Sequence, residues 1–161
     1  MARKRPPNYG VEQEAVYIPP DDDAWTVDVG KIKANHPVSR YYEGATRYRL
    51  AEVEEHLDRS KDPEEYVLGE LDVRTRHRVN AMVFSGDSQT RSDGLLLACQ
   101  RGLAEIRPEK LSETLEAEWR NGALTERALD ALDRYDPSIV QAVGLAAVLA
   151  NLPLRPDEGK Q

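Results

Sequence analysis

Apolar residues fall in short isolated pieces near the start of this chain, alternate with polar ones in the next stretch, and recur at helical spacing through the rest. In residues 1–37, Pro6-Pro7, Pro19-Pro20 and Asp21-Asp22-Asp23 separate the apolar pieces Val16-Tyr17-Ile18 and Trp25-Thr26-Val27-Asp28-Val29. A residue before proline is pushed toward extended backbone. The pattern predicts an extended N-terminal arm over residues 1–37, with one or two short strands and no packed subdomain. A solvated tail has no use for apolar anchors, so Tyr9, Tyr17, Ile18 and Trp25 are the candidate contacts through which the arm binds a partner.

From residue 38 the spacing changes. Val38–Tyr42 and Ala45–Leu50 flank Glu43-Gly44 and predict a hairpin. Thr46, Tyr48 and Leu50 alternate with Arg47 and Arg49, as on a strand with one buried face. A short helix is expected from Ala51 to Arg59, and a strand over Glu65–Leu71. Asp72 then caps a helix through Met82, and Phe84–Ser92 reads as a polar loop. Ser92 or Asp93 would cap a helix over Gly94–Ile106, in which Gly102 either allows close packing or ends the helix. Pro108 opens the next helix, expected to run through Arg120 with Leu111, Leu115 and Trp119 aligned, and Asn121-Gly122 reads as its stop. Thr125 caps a further helix. Asp136-Pro137 opens the last one, whose apolar residues Ile139 to Leu149 surround it and predict a central core position. The fold class is therefore α+β: one mostly helical domain over residues 38–154 with a small hairpin or sheet, the arm before it, and a flexible tail at 155–161.

Charge and composition narrow the function. The 161 residues hold 29 Asp and Glu against 22 Lys and Arg, a net charge of -7, which argues against a general nucleic-acid binder. The single cysteine, Cys99, excludes a disulfide framework and a multi-cysteine zinc site. The basic start Arg3-Lys4-Arg5 has no apolar stretch after it and is not expected to be a secretory signal. No run approaches the roughly 20 apolar residues of a membrane span. A reducing cytoplasm is the expected compartment.

Candidate chemistry is sparse. His36, His56 and His77 stand at no metal-ligand spacing, and Cys99 lies among leucines and alanines, where packing rather than reactivity is expected. Asp21-Asp22-Asp23 has no phosphate-cradling loop beside it and reads as a solvated turn. Ser85, His77 and Asp87 make a hydrolase triad only on paper. Phosphate-loop, dinucleotide and nucleophile-elbow patterns are missing from the sequence. No catalytic, cofactor-binding or metal-binding residues are assigned, and no enzymatic activity is expected. What stands out is basic: Arg74, Arg76, His77 and Arg78 on the helix after Asp72, and Arg40, Arg47 and Arg49 on the hairpin, with Tyr41, Tyr42 and Tyr48 among them. Such clusters suit an acidic protein partner, phosphates or a neutralised surface; a protein partner is favoured over nucleic acid.

Three segments carry a resemblance: Asp62–Arg76, a proline-led strand entering an arginine-bearing helix; Leu95–Leu103; and Leu129–Val140 leading through the apolar helix to Asn151-Leu152-Pro153-Leu154. Together, over about residues 62–154, they resemble small morphogenesis proteins of tailed bacteriophages, of the tail assembly chaperone type. The resemblance implies a non-enzymatic interaction protein in the host cytoplasm. It would shield a tail protein or be built into the virion, with other tail or head proteins as partners and self-association left open. The long arm suits a virion component. The alternative is a nucleic-acid-binding or regulatory module using Arg74, Arg76 and Arg78 together with Arg47 and Arg49.

Overall fold

A computed structural model describes residues 4–7, 14–19, 47–53 and 62–152. The fold is α+β. Strands β1 (Ala15–Tyr17), β2 (Tyr48–Arg49), β3 (Glu65–Leu68) and β4 (Leu103–Arg107) form an antiparallel sheet in the order β2-β1-β3-β4. Alternation along the strands gives the sheet two apolar faces. Tyr17, Tyr66 and Leu68 enter the main helical core, while Val16, Ile18, Tyr48 and Val67 meet Val53 of the short helix α1 (Leu50–Val53) on the other side.

Here the expected arm needs correction. Glu14–Pro19 falls within the expected arm, yet β1 is an interior strand, paired with β2 on one edge and β3 on the other. Its side chains are covered on both faces, so Tyr17 and Ile18 are core residues rather than anchors for a partner. The tip of the expected second hairpin strand is β2, paired with β1. The hairpin's other strand and turn, the end of the helix expected to reach Arg59, and the tail at 155–161 lie outside the described residues.

Helix α2 (Val73–Val83) begins as predicted, with the Asp72 carboxylate accepting from the Thr75 backbone N–H at 2.8 Å. Helix α3 (Ser88–Gly102) starts earlier than the sequence suggested. The Asp87 side chain accepts from both the backbone N–H and the hydroxyl of Thr90, at 2.9 and 2.6 Å, so Ser88–Ser92 is helix and not loop. These bonds from Thr75 and Thr90 hold both capping carboxyls below the usual aspartate range.

Gly102 does both things foreseen for it. It ends α3, and a Cβ there would stand 2.6 Å from that of Ala147 in the last helix. Leu103–Ile106, expected to prolong the helix, is strand β4, because pairing with β3 supplies the hydrogen bonds of its backbone. Helix α4 (Glu109–Thr114) is likewise short of its predicted end. The chain turns into a small hairpin, β5 (Trp119–Arg120) and β6 (Ala123–Leu124). Asn121-Gly122 is thus a hairpin turn instead of a helix stop; φ values of 53° and 76° are what a two-residue loop with the twist of its strands requires. Leu111, Leu115 and Trp119 still meet the main core, and the Trp119 indole donates to the Leu103 carbonyl at 2.8 Å.

Helix α5 (Glu126–Tyr135), capped by Thr125, leads to α6 (Pro137–Ala150), capped by Asp136 with Pro137 in its first turn. As its all-round apolar surface predicts, α6 is central: it touches α2, α3 and α5 and the strands β1, β3 and β4. Asn151, just past its end, ties this core to the start of α2. Its side-chain oxygen accepts from Leu71 N–H at 2.9 Å, and its amide donates to the Gly69 and Ala147 carbonyls at 3.2 and 2.8 Å. Among the described residues, no helix is long and apolar enough to cross a membrane.

Candidate functional site: a basic groove along α2

Among the described residues, the connection from β3 to α2 positions a region with the makings of a site. Gly69 and Leu71 are held by Asn151 from below. Between them the Glu70 N–H donates to the Lys4 carbonyl at 2.8 Å, which lays the N-terminal segment Lys4–Pro7 beside the start of the helix. Pro6 is buried there. Pro7 joins Arg76, His77 and Asn80 in lining an open groove of about 250 Å³.

Helical spacing organises the surroundings. Val79 and Val83 face the core. Arg74, His77, Arg78 and Ala81 are exposed, and Arg76 and Asn80 sit half-buried on the flank between. Val73 and Phe84, three turns apart and so on nearly the same side, bracket the stripe that His77 and Asn80 occupy. They are 60% and 51% exposed, the most open of the large apolar side chains described.

The charges are as notable as the shape. None of Lys4, Arg5, Arg74, Arg76 and Arg78 forms an ion pair with a described carboxylate. Three other described arginines are paired with carboxylates, while Arg134, exposed on α5, is not. Arg107 grips Glu14 through two bonds of 3.0 and 3.1 Å and also reaches Glu65 and Glu105, Arg120 pairs with Glu118, and Arg127 pairs with Glu116. The nearest acid on α2, Asp72, is engaged in its cap. A chain of net charge -7 therefore carries a local cationic surface drawn from two segments some seventy residues apart.

Of the residues singled out from the sequence, Arg76 lines the groove, while Arg74 and Arg78, each two residues away, are exposed on a different face of α2. Arg47 is not at the surface: it is 2% exposed, because its strand lies against a covered face of the sheet. Arg49, half-buried on β2, is also remote in the sheet order from the β3–α2 connection. The two basic groups thus do not merge. Tyr9 and Trp25 lie outside the described residues, as do His36, His56 and Asp21–Asp23. Lys4, Arg5, Pro7, Asn80, Val73 and Phe84 were not foreseen as site residues. The basic run at residues 3–5 was visible, but nothing local ties it to a helix beginning at residue 73.

The other reactive side chains have structural partners. Asp87 of the paper triad gives its carboxylate to Thr90, and Ser85 Oγ accepts from Asp87 N–H. The Tyr66 phenol donates to Glu64 at 3.0 Å, and the Tyr135 phenol donates to the same carboxylate. Burial first, and the Glu64 charge second, hold Tyr66 well above the usual phenol range. Cys99 is fully buried, and burial pushes its thiol up to about 12. We expect Cys99 to be inert to Ellman's reagent in the native protein and to react fully in denaturant; rapid native labelling would show that α3 opens readily. No protein-family model, curated protein or solved structure matches this chain.

Proposed function

We propose that this chain is a non-enzymatic interaction protein of tailed-phage assembly, acting like the tail assembly chaperones or as a small virion component. The resemblance over residues 62–154 supplies the context. The observation that carries the interaction role is the α2 surface, where Arg76, with no ion pair to a described carboxylate, lies between two exposed apolar side chains. A surface that mixes charge with exposed apolar area suits protein contacts. The cations of α2 favour a second reading, a nucleic-acid-binding module, in which affinity would fall steeply with salt.

Mass spectrometry of purified virions and of complexes captured on the tagged protein separates these. A fixed copy number in mature particles marks a virion component. Absence from particles, with a tail protein captured from the lysate, marks a chaperone. Nucleic acid in the captured material, and no stoichiometric protein, would replace the assembly reading with the second one.

A further inference from the structure

We infer that the α2 groove binds an extended peptide segment of a partner protein in which acidic and large apolar residues alternate. The inference rests on the interaction reading above and adds to it the chemistry of the partner. Three features set that chemistry. The first is charge: Arg76 in the groove wall, and Lys4 and Arg5 exposed on the segment laid beside the helix start, form no ion pairs with described carboxylates, so a carboxylate-bearing ligand supplies the complement. The second is spacing. Val73 and Phe84 stand at the two ends of α2, one before and one after the groove residues His77 and Asn80. A ligand lying along the helix meets an apolar side chain at each end and Arg76 in the middle. Bare phosphates offer nothing to those ends.

The third is Asn80. Its side-chain oxygen is shielded from solvent and has no hydrogen-bond partner among the described residues, an unfavourable state for a buried acceptor. Rotation of the amide turns this oxygen toward the groove, where it accepts a hydrogen bond from a peptide N–H. A phosphate group carries only acceptors and cannot provide that donor, whereas the bases of a single strand can, which makes a single-stranded oligonucleotide the competing probe. The overall charge of -7 also repels a polyanion at long range, while a short segment docking locally feels mainly the nearby cations, within a Debye length of about 8 Å. The exposed apolar ends and the overall charge favour an acidic–apolar peptide over nucleic acid.

Fluorescence anisotropy on the full chain provides the test, with three labelled probes: a peptide alternating Glu or Asp with Leu or Phe, an oligoglutamate of equal charge, and a single-stranded oligonucleotide. The alternating peptide should bind tightest. Arg76→Glu should weaken it about ten-fold or more, and Phe84→Ser about five-fold. Both positions are at least partly exposed, and circular dichroism will verify that the variants keep the fold. Equal binding of oligoglutamate would reduce the groove to a nonspecific cationic patch and overturn the inference. So would tighter binding of the oligonucleotide, no binding of the alternating peptide, or unchanged affinity in Arg76→Glu. If the tagged protein captures a tail protein equally well with Arg76→Glu, the groove is excluded while the assembly reading stands. If the peptide binds as expected but no phage protein is captured or found in particles, the assembly reading fails and the groove survives.

Discussion

Asn151→Ala is expected to lower the unfolding free energy by about 2–5 kcal/mol, enough to leave a marginally stable domain largely unfolded at physiological temperature. The figure follows from what the side chain holds. Asn151 is fully buried, and its amide makes three hydrogen bonds. Alanine leaves the Leu71 N–H and the Gly69 carbonyl without those bonds inside the protein, each a loss of about 1–3 kcal/mol. The Ala147 carbonyl loses less, because the Asn151 backbone N–H also donates to it. Urea denaturation of the wild type and variant measures the difference. A change under about 1 kcal/mol would mean that the β3–α2 connection finds other partners and is not held by this residue. Asn151→Asp sharpens the test, since the carboxylate has no donor for the Gly69 and Ala147 carbonyls and would be buried as a charge. It should be worse than Ala at neutral pH. Its folded-state pKa would be raised above the unfolded value of about 4, so the folded form takes up the proton. The stability of Asn151→Asp should therefore fall as pH rises through the window above pH ~4 and recover in acid, a slope that Asn151→Ala does not share.

Local chemistry and periodicity made much of this fold legible in the sequence. Asp72, Thr125 and Asp136 announced three helix starts, and the all-round apolar surface of Ile139–Leu149 announced the central helix. Errors arose where two local readings were equally good and a distant partner decided. Asn-Gly serves at a helix end or in a hairpin, and only the pairing of Trp119 with Leu124 selects the second. Leu103 and Ile106 fit a helical stripe, but β3 offers them a strand neighbour. Asp87 stands in a polar stretch that reads as loop, with Ser92 and Asp93 also able to cap; its bonds to Thr90 decide the start of α3. The arm was misjudged for a related reason. Prolines on both sides of Val16-Tyr17-Ile18 correctly marked extended backbone, but extended backbone serves an appendage and an interior strand alike.

The candidate site was half legible. Arg74, Arg76 and Arg78 stood out because three cations within five residues of an acidic chain are conspicuous. Arg47 had the same appearance and is buried, since alternation shows that a strand has two faces without showing that both are covered. The contribution of Lys4–Pro7 depends on one backbone hydrogen bond to Glu70, a contact between segments that no local pattern encodes. Net charge is silent on local charge for the same reason. A total of -7 describes the long-range field, while the local charge at α2 depends on which carboxylates reach its arginines, and the described ones do not.

Gly144→Ala should be destabilising by about 2–4 kcal/mol, although alanine is the better helix former by about 1 kcal/mol. The reason is the crossing of α6 with α3. A Cβ on Gly144 would overlap the Leu95 carbonyl oxygen and stand 2.9 Å from its carbon and 3.1 Å from its Cα. These are backbone atoms, so no side-chain rotation can make room; the two helices must separate. That separation would loosen Gly102 from Ala147 at the same interface and shift α3 against α2, which packs on its other side. At roughly 2–4 °C per kcal/mol for a chain of this size, the melting temperature should drop by roughly 4–16 °C. Two controls isolate the cause. Gly86→Ala has no atom within 4 Å of the new Cβ and should be near neutral, and Gln141→Ala, exposed on the same helix, should be neutral or slightly stabilising. If Gly144→Ala instead raised the melting temperature as the intrinsic preference alone dictates, α3 and α6 would not approach as closely as described. The central position of α6, on which the placement of α2 and its groove depends, would then be wrong.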